Sequence, residues 1–149
     1  MQTRFFYREA NPEAFEALLA LEQFASSRGI EPALYSLIKL RASQINGCSF
    51  CVDMHAKELM KHEDGLDRIV LLPVWREAPC YTDKERAVLD LTEHATKLSE
   101  AGVPQDVYER VREFVSEKEF VDLIMAINAI NSWNRIGVST GAFPGCLIG

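Results

Sequence analysis

Apolar residues along this chain recur every three or four positions, the period of helices with one buried face. Asn11-Pro12 opens the first such run, since Asn caps a helix and Pro suits its first position. Phe15, Leu18, Leu19 and Ala25 then share a face up to about Ser27, where Gly29 and Pro32 break the pattern. A second run, Ala33 to Ile45, carries Leu34, Leu37, Ile38 and Ala42. Asn46-Gly47 interrupts it with a pair that readily turns. A third begins near Cys48 and passes Ala56 and Leu59 to about His62, with Gly65 as its stop.

A short helical piece follows from Leu66 to Leu72, closed by Pro73, and Val74 to Tyr81 reads as loop. Thr82 and Glu85 form a capping box that opens a helix through Ala87, Val88, Leu91, Ala95 and Leu98. Beyond Gly102 and Pro104, a helix is expected from Gln105 to Phe114. Ser116 and Glu119 make a second capping box, ahead of an almost wholly apolar segment from Phe120 to Ile136. A helix apolar on all sides belongs at the centre of a fold or in a subunit interface. No stretch alternates as a strand does. The expectation is one all-α domain spanning residues 1–149, without linker or internal repeat.

Composition narrows the function classes. A chain of 149 residues with 48% hydrophobic residues can bury a real core. Sixteen Lys and Arg against 22 Asp and Glu give a net charge of −6. No basic cluster offers the footprint that phosphate backbones or anionic membranes require. No apolar run reaches the roughly 20 residues of a membrane span, and the start, MQTRFFYREA, lacks the apolar core of a secretory signal. The expected location is the cytoplasm, where closely spaced cysteines serve catalysis or metal binding more than structure.

Candidate chemistry concentrates in Asn46-Gly47-Cys48-Ser49-Phe50-Cys51-Val52-Asp53-Met54-His55. On a helix, Cys48, Cys51 and His55 fall within about 60° of one another. Two sulfurs and an imidazole thus share one face at the start of a helix, where free N–H groups favour a thiolate. A neighbouring imidazole can accept or deliver the proton. The spacing is open to dithiol redox chemistry, to zinc with a fourth ligand from His62, His94, Cys80 or Cys146, and to plain burial of small residues. It does not say which sulfur attacks first.

The stretch from Arg41 to His55 resembles the core motif of the AhpD-like alkylhydroperoxidases related to carboxymuconolactone decarboxylase. Val74 to Pro79, Thr82 to Glu93 and Ile130 to Arg135 are similar to that family's later segments, so the resemblance runs from about residue 34 to 135. It implies an AhpD-like helical bundle assembled as a homo-oligomer, a trimer or a multiple of it, needing no cofactor or metal. It further implies a hydroperoxide reductase: Cys51 attacks the peroxide, Cys48 resolves the sulfenic acid as a disulfide, and His55 acts as acid and base. The partners implied are a hydroperoxide and a dithiol reductant, thioredoxin-like or lipoyl-bearing. Retention of both cysteines argues against the lactone decarboxylase activity.

Two positions depart from the family's pattern. Ser36 stands where a relay glutamate is usual, and Phe50 where a histidine precedes the second cysteine. Ser36 is left as a weak hydrogen-bonding participant; Glu93 or Glu85 could supply a replacement carboxylate from a facing helix, but each reads first as a solvated or capping glutamate. His62, His94, Cys80 and Cys146 read as incidental. Trp75 and Trp133 read as core or interface anchors, and Asn128, Asn131 and Asn134 as amides stitching helices or subunits together. A disulfide oxidoreductase or redox sensor acting on a protein, and a non-catalytic scaffold, are the competing functions.

Overall fold

Two capping boxes start two of the helices that carry the fold's centre. The structure, a computed structural model, describes residues 1–146. The helices are α1 (Tyr7–Ala10), α2 (Pro12–Ser26), α3 (Pro32–Asn46), α4 (Ser49–Leu59), α5 (Gly65–Leu71), α6 (Asp83–Thr96), α7 (Leu98–Ala101), α8 (Gln105–Arg112) and α9 (Glu117–Thr140), with a 3-10 segment over Leu72–Glu77. No strand occurs among the described residues. Thr82 with Glu85, and Ser116 with Glu119, exchange both capping hydrogen bonds, as their spacing predicts. Asn11 caps α2 by accepting from the Ala14 N–H at 3.0 Å.

The 24 residues of α9 lie centrally, against α2, α3, α4, α6 and α8. One cluster of buried side chains joins Leu34 and Ile38 to Val88, Leu91, Val111 and Ile127. A second packs Leu37, Leu40, Leu59, Leu72 and Leu89 around Trp75 and Tyr81. A third, small cluster consists of Ala42, Cys48, Cys51 and Ile130, bordered by Phe50 and Trp133. The cysteine pair is therefore walled by α3, α4 and α9.

Several boundaries differ from the periodic reading. Gly65 does not stop the third helix. That helix closes at Leu59, and Gly65 starts α5, after Asp64 takes a left-handed φ of 56°. Val74 to Tyr81 is not all loop, because the 3-10 turn through Glu77 buries Trp75 against the core. The sixth helix breaks at Lys97, and α8 ends at Arg112 rather than Phe114. The N-terminal turn α1 was not legible in the pattern, since none of its residues is buried. It is held from outside: Arg4 N–H donates to the Thr140 carbonyl at 2.9 Å and its guanidinium to Ser139 at 2.7 Å, tying the chain start to the end of α9.

Candidate active site

The site begins with the turn between α3 and α4. Gly47 caps α3 in the left-handed region at φ 68°, a conformation that costs glycine little. Its N–H and that of Cys48 return to the carbonyls of Gln44 and Ser43. Asn46, just before the turn, is clamped from α9. Its Nδ2 donates to Oδ1 of Asn131 at 2.9 Å and of Asn134 at 3.0 Å. Asn134 Nδ2 in turn donates to Ser43 Oγ at 2.9 Å, and Ser43 to the Lys39 carbonyl at 2.7 Å. Two of the three asparagines thus stitch α9 to α3 and set where α4 starts, while Asn128 lies exposed.

Cys48 is the N-cap of α4, and its Sγ accepts from the Cys51 N–H at 3.4 Å. The two Cα atoms are 5.3 Å apart, and the sulfurs lie within disulfide-bonding distance. Both cysteines are buried, at 1% and 4% exposure. α9 approaches the sulfurs at Gly137, where a Cβ would stand 3.3 Å from Cys48 Sγ and 3.9 Å from Cys51 Sγ.

Cys51, but not Cys48, opens onto a cavity of about 320 Å³ lined by Tyr7, Arg8, Phe15, Glu22, Lys39, Phe50, Cys51, Met54, His55, Trp133 and Gly137. Its upper wall is aromatic: Phe15 meets Trp133 edge-on at 5.8 Å, and Tyr7 leans on both at 6.2 and 6.5 Å. Its ionisable lining includes Arg8, Glu22, Lys39 and His55. His55 Nδ1 is 2.9 Å from Oε2 of Glu58. That hydrogen bond, helped by the charges of His55, Lys39 and Lys61, holds the Glu58 carboxyl below its ordinary value against the opposing effect of burial. An ionised Glu58 can only accept, so Nδ1 of His55 is the donor of this bond and Nε2 is left out of it. Lys39, 3% exposed, forms an ion pair with Glu22 across α2 and α3.

The replacement carboxylates expected from the facing helix are engaged elsewhere. Glu93 accepts from Arg41 at 2.9 Å, Trp75 at 2.8 Å and Arg76 at 2.8 Å; burial pushes its carboxyl up, but these donors outweigh it and hold it low. Glu85 pairs with Arg68 and closes the capping box on Thr82. Neither lines the cavity, and neither does Ser36, which is buried at 6% exposure. Glu58, Glu22 and Lys39 were missed. Glu58 had a readable signal in its three-residue spacing from His55; Glu22 and Lys39 meet only in the fold. His62 lies past the end of α4, and His94 binds the Asp90 carbonyl at 2.9 Å. Among the described residues no group of three or more His, Cys, Asp and Glu is placed to hold a metal ion, so the zinc donor set is not assembled. No described helix is long and apolar enough to cross a membrane.

Comparison with known proteins points the same way as the core motif. The chain is 40% identical over 141 residues to the uncharacterised protein YdfG of Bacillus subtilis, covering 95% of this chain and 96% of that one. A crystal structure from Agrobacterium tumefaciens, ATU0492, of unknown function but suggested to be the antioxidant defence protein AhpD, superposes with a TM-score of 0.90. It is 49% identical, over 96% of this chain and 99% of its own. An uncharacterised peroxidase-related protein from Silicibacter sp. TM1040 shares the fold, with a TM-score of 0.78 at 22% identity over 91% and 72% of the two chains. Residues 12–94 match the sequence profile of the carboxymuconolactone decarboxylase family. The protein belongs to that family and has its AhpD-like, all-helical fold.

Proposed function

We propose that the protein is a thiol-dependent hydroperoxide reductase in which Cys51 attacks, Cys48 resolves and His55 is the acid and base. The observation that carries this reading is the cysteine pair at disulfide distance with Cys51 and His55 on the wall of one largely apolar cavity. His55 takes the thiol proton, and the Cys51 thiolate attacks the terminal peroxide oxygen. The O–O bond breaks, leaving a sulfenic acid and releasing an alcohol. Cys48 then displaces water from that sulfenic acid, closing the disulfide. An external dithiol, thioredoxin-like or lipoyl-bearing, restores the two thiols.

Access supports Cys51 as the attacking sulfur, since it faces the cavity and Cys48 does not. An aromatic wall suits an organic hydroperoxide. The exposed apolar residues Met60, Leu66, Val70 and Val74, along α5 and its flanks, support assembly as a homo-oligomer.

The test is peroxide consumption with dihydrolipoamide or dithiothreitol as reductant. Wild type should consume cumene hydroperoxide catalytically, and Cys51→Ser should not. Equal rates in the two proteins would overturn the assignment, and rapid turnover of a protein disulfide without peroxide consumption would favour the disulfide oxidoreductase.

A further inference from the structure

The cavity holds a cation that the steps above leave without a task. Lys39 is nearly fully buried on α3, yet it reaches the wall shared by Cys51 and His55. A charged amine in such a place is costly unless paired and employed. Its pair is Glu22 from α2, and its Nζ also lies 4.5 Å from the centre of the Tyr35 ring. The charge of Glu58 on α4 acts on it as well. Burial nevertheless pushes the ammonium down to about 8, so that it is protonated at neutral pH and readily gives a proton up.

Peroxide reduction produces a need for that proton. When the O–O bond breaks, the electron pair leaves on an alkoxide, which is a poor leaving group in an apolar cavity unless a cation or acid meets it. Arg8, the other cation on the wall, cannot act as the acid, because a guanidinium keeps its protons.

We propose that Lys39 is the acid that protonates the departing alkoxide, with Glu22 positioning its ammonium; this rests on the peroxide-reducing reading. The S–O bond forms as the O–O bond breaks, sulfur loses two electrons to the peroxide, and the Lys39 proton passes to the alkoxide oxygen. The neutral amine then regains a proton from water, and His55 keeps the thiol proton for the hydroxide that leaves when Cys48 closes the disulfide.

The experiment compares two oxidants on the reduced protein by stopped-flow. tert-Butyl hydroperoxide releases an alkoxide that needs an acid, whereas peracetic acid releases a stable carboxylate that does not. Lys39→Met should lower the ratio of the first rate to the second by about 100-fold. Lys39→Met with Glu22→Gln also removes the carboxylate left without its partner, and should show the same selective loss in a protein of normal helicity. Lys39→Arg keeps the charge without a releasable proton and should leave the ratio low.

A ratio unchanged in both Met variants, or restored by Arg, overturns proton donation by Lys39 while peroxide reduction stands. Wild-type thiols that react with iodoacetamide but with neither oxidant overturn both readings together.

Discussion

His55 and Glu58 hold each other one turn apart on α4, Nδ1 to Oε2 at 2.9 Å, so the imidazole that shares a cavity with Cys51 has a fixed tautomer. In the proposed reaction the anion also stabilises the imidazolium formed when His55 takes the thiol proton. A neutral amide can keep the hydrogen bond but not that charge. Glu58→Gln should therefore slow peroxide-driven disulfide formation about tenfold, equivalent to about 1.4 kcal/mol of barrier. Stopped-flow tryptophan fluorescence at several pH values measures it. An unchanged rate would show that Glu58 is only a surface partner.

Asn134 makes the second test of how the site is held. It accepts from Asn46 and donates to Ser43, at 1% exposure, so truncation strands buried polar partners. Asn134→Ala should cost about 1–3 kcal/mol in urea unfolding of the reduced protein. Because Asn46 fixes the end of α3 just before Cys48, the disulfide should also form more slowly.

How far these relationships could be read from the chain depends on their range. Cys48, Cys51 and His55 lie on one local helix, so their spacing alone put them on a common face. The capping boxes at Thr82 and Ser116 are equally local and located the starts of α6 and α9. The Lys39–Glu22 pair joins two helices, and Lys39 sits inside the apolar run Leu37–Leu40, where a lysine reads as the solvent-facing residue. Glu93 failed as a relay candidate for the same reason in reverse, since nothing local shows that Arg41, Trp75 and Arg76 converge on it. Trp75 drew its 3-10 turn into the core against a loop-like sequence around Pro73 and Pro79.

Gly137 leaves the sulfurs their room, and it also lines the cavity. Gly137→Leu should overpack this corner, costing about 1–3 kcal/mol of stability despite better helix propensity. The rate with cumene hydroperoxide should fall further than the rate with hydrogen peroxide, because the cavity shrinks. Thermal melts and parallel rate measurements separate the two effects, and equal losses for both peroxides would count against a cavity-bound substrate.

Burial holds the Lys39 ammonium at about 8, below its ordinary 10.5. Between those values the unfolded chain binds the proton that the folded chain has released, so this group makes stability rise with pH. Its unfavourable contribution is fully present below about pH 8 and relieved above it. Urea midpoints at pH 7 and pH 10 should therefore climb more in wild type than in the Lys39→Met, Glu22→Gln double variant. Parallel changes in the two proteins would contradict the burial of a charged Lys39.

The central claim is that Cys51 takes the peroxide oxygen and Cys48 resolves it. Intact mass after one equivalent of tert-butyl hydroperoxide tests this most directly, in wild type and in Cys48→Ser with a sulfenic acid trap. Wild type should lose two hydrogens without gaining oxygen, and the variant should carry the trap at Cys51. Unchanged masses under conditions where an established peroxidase reacts within seconds would contradict the account. So would a trap found on Cys48 in Cys51→Ser and absent from Cys51 in Cys48→Ser.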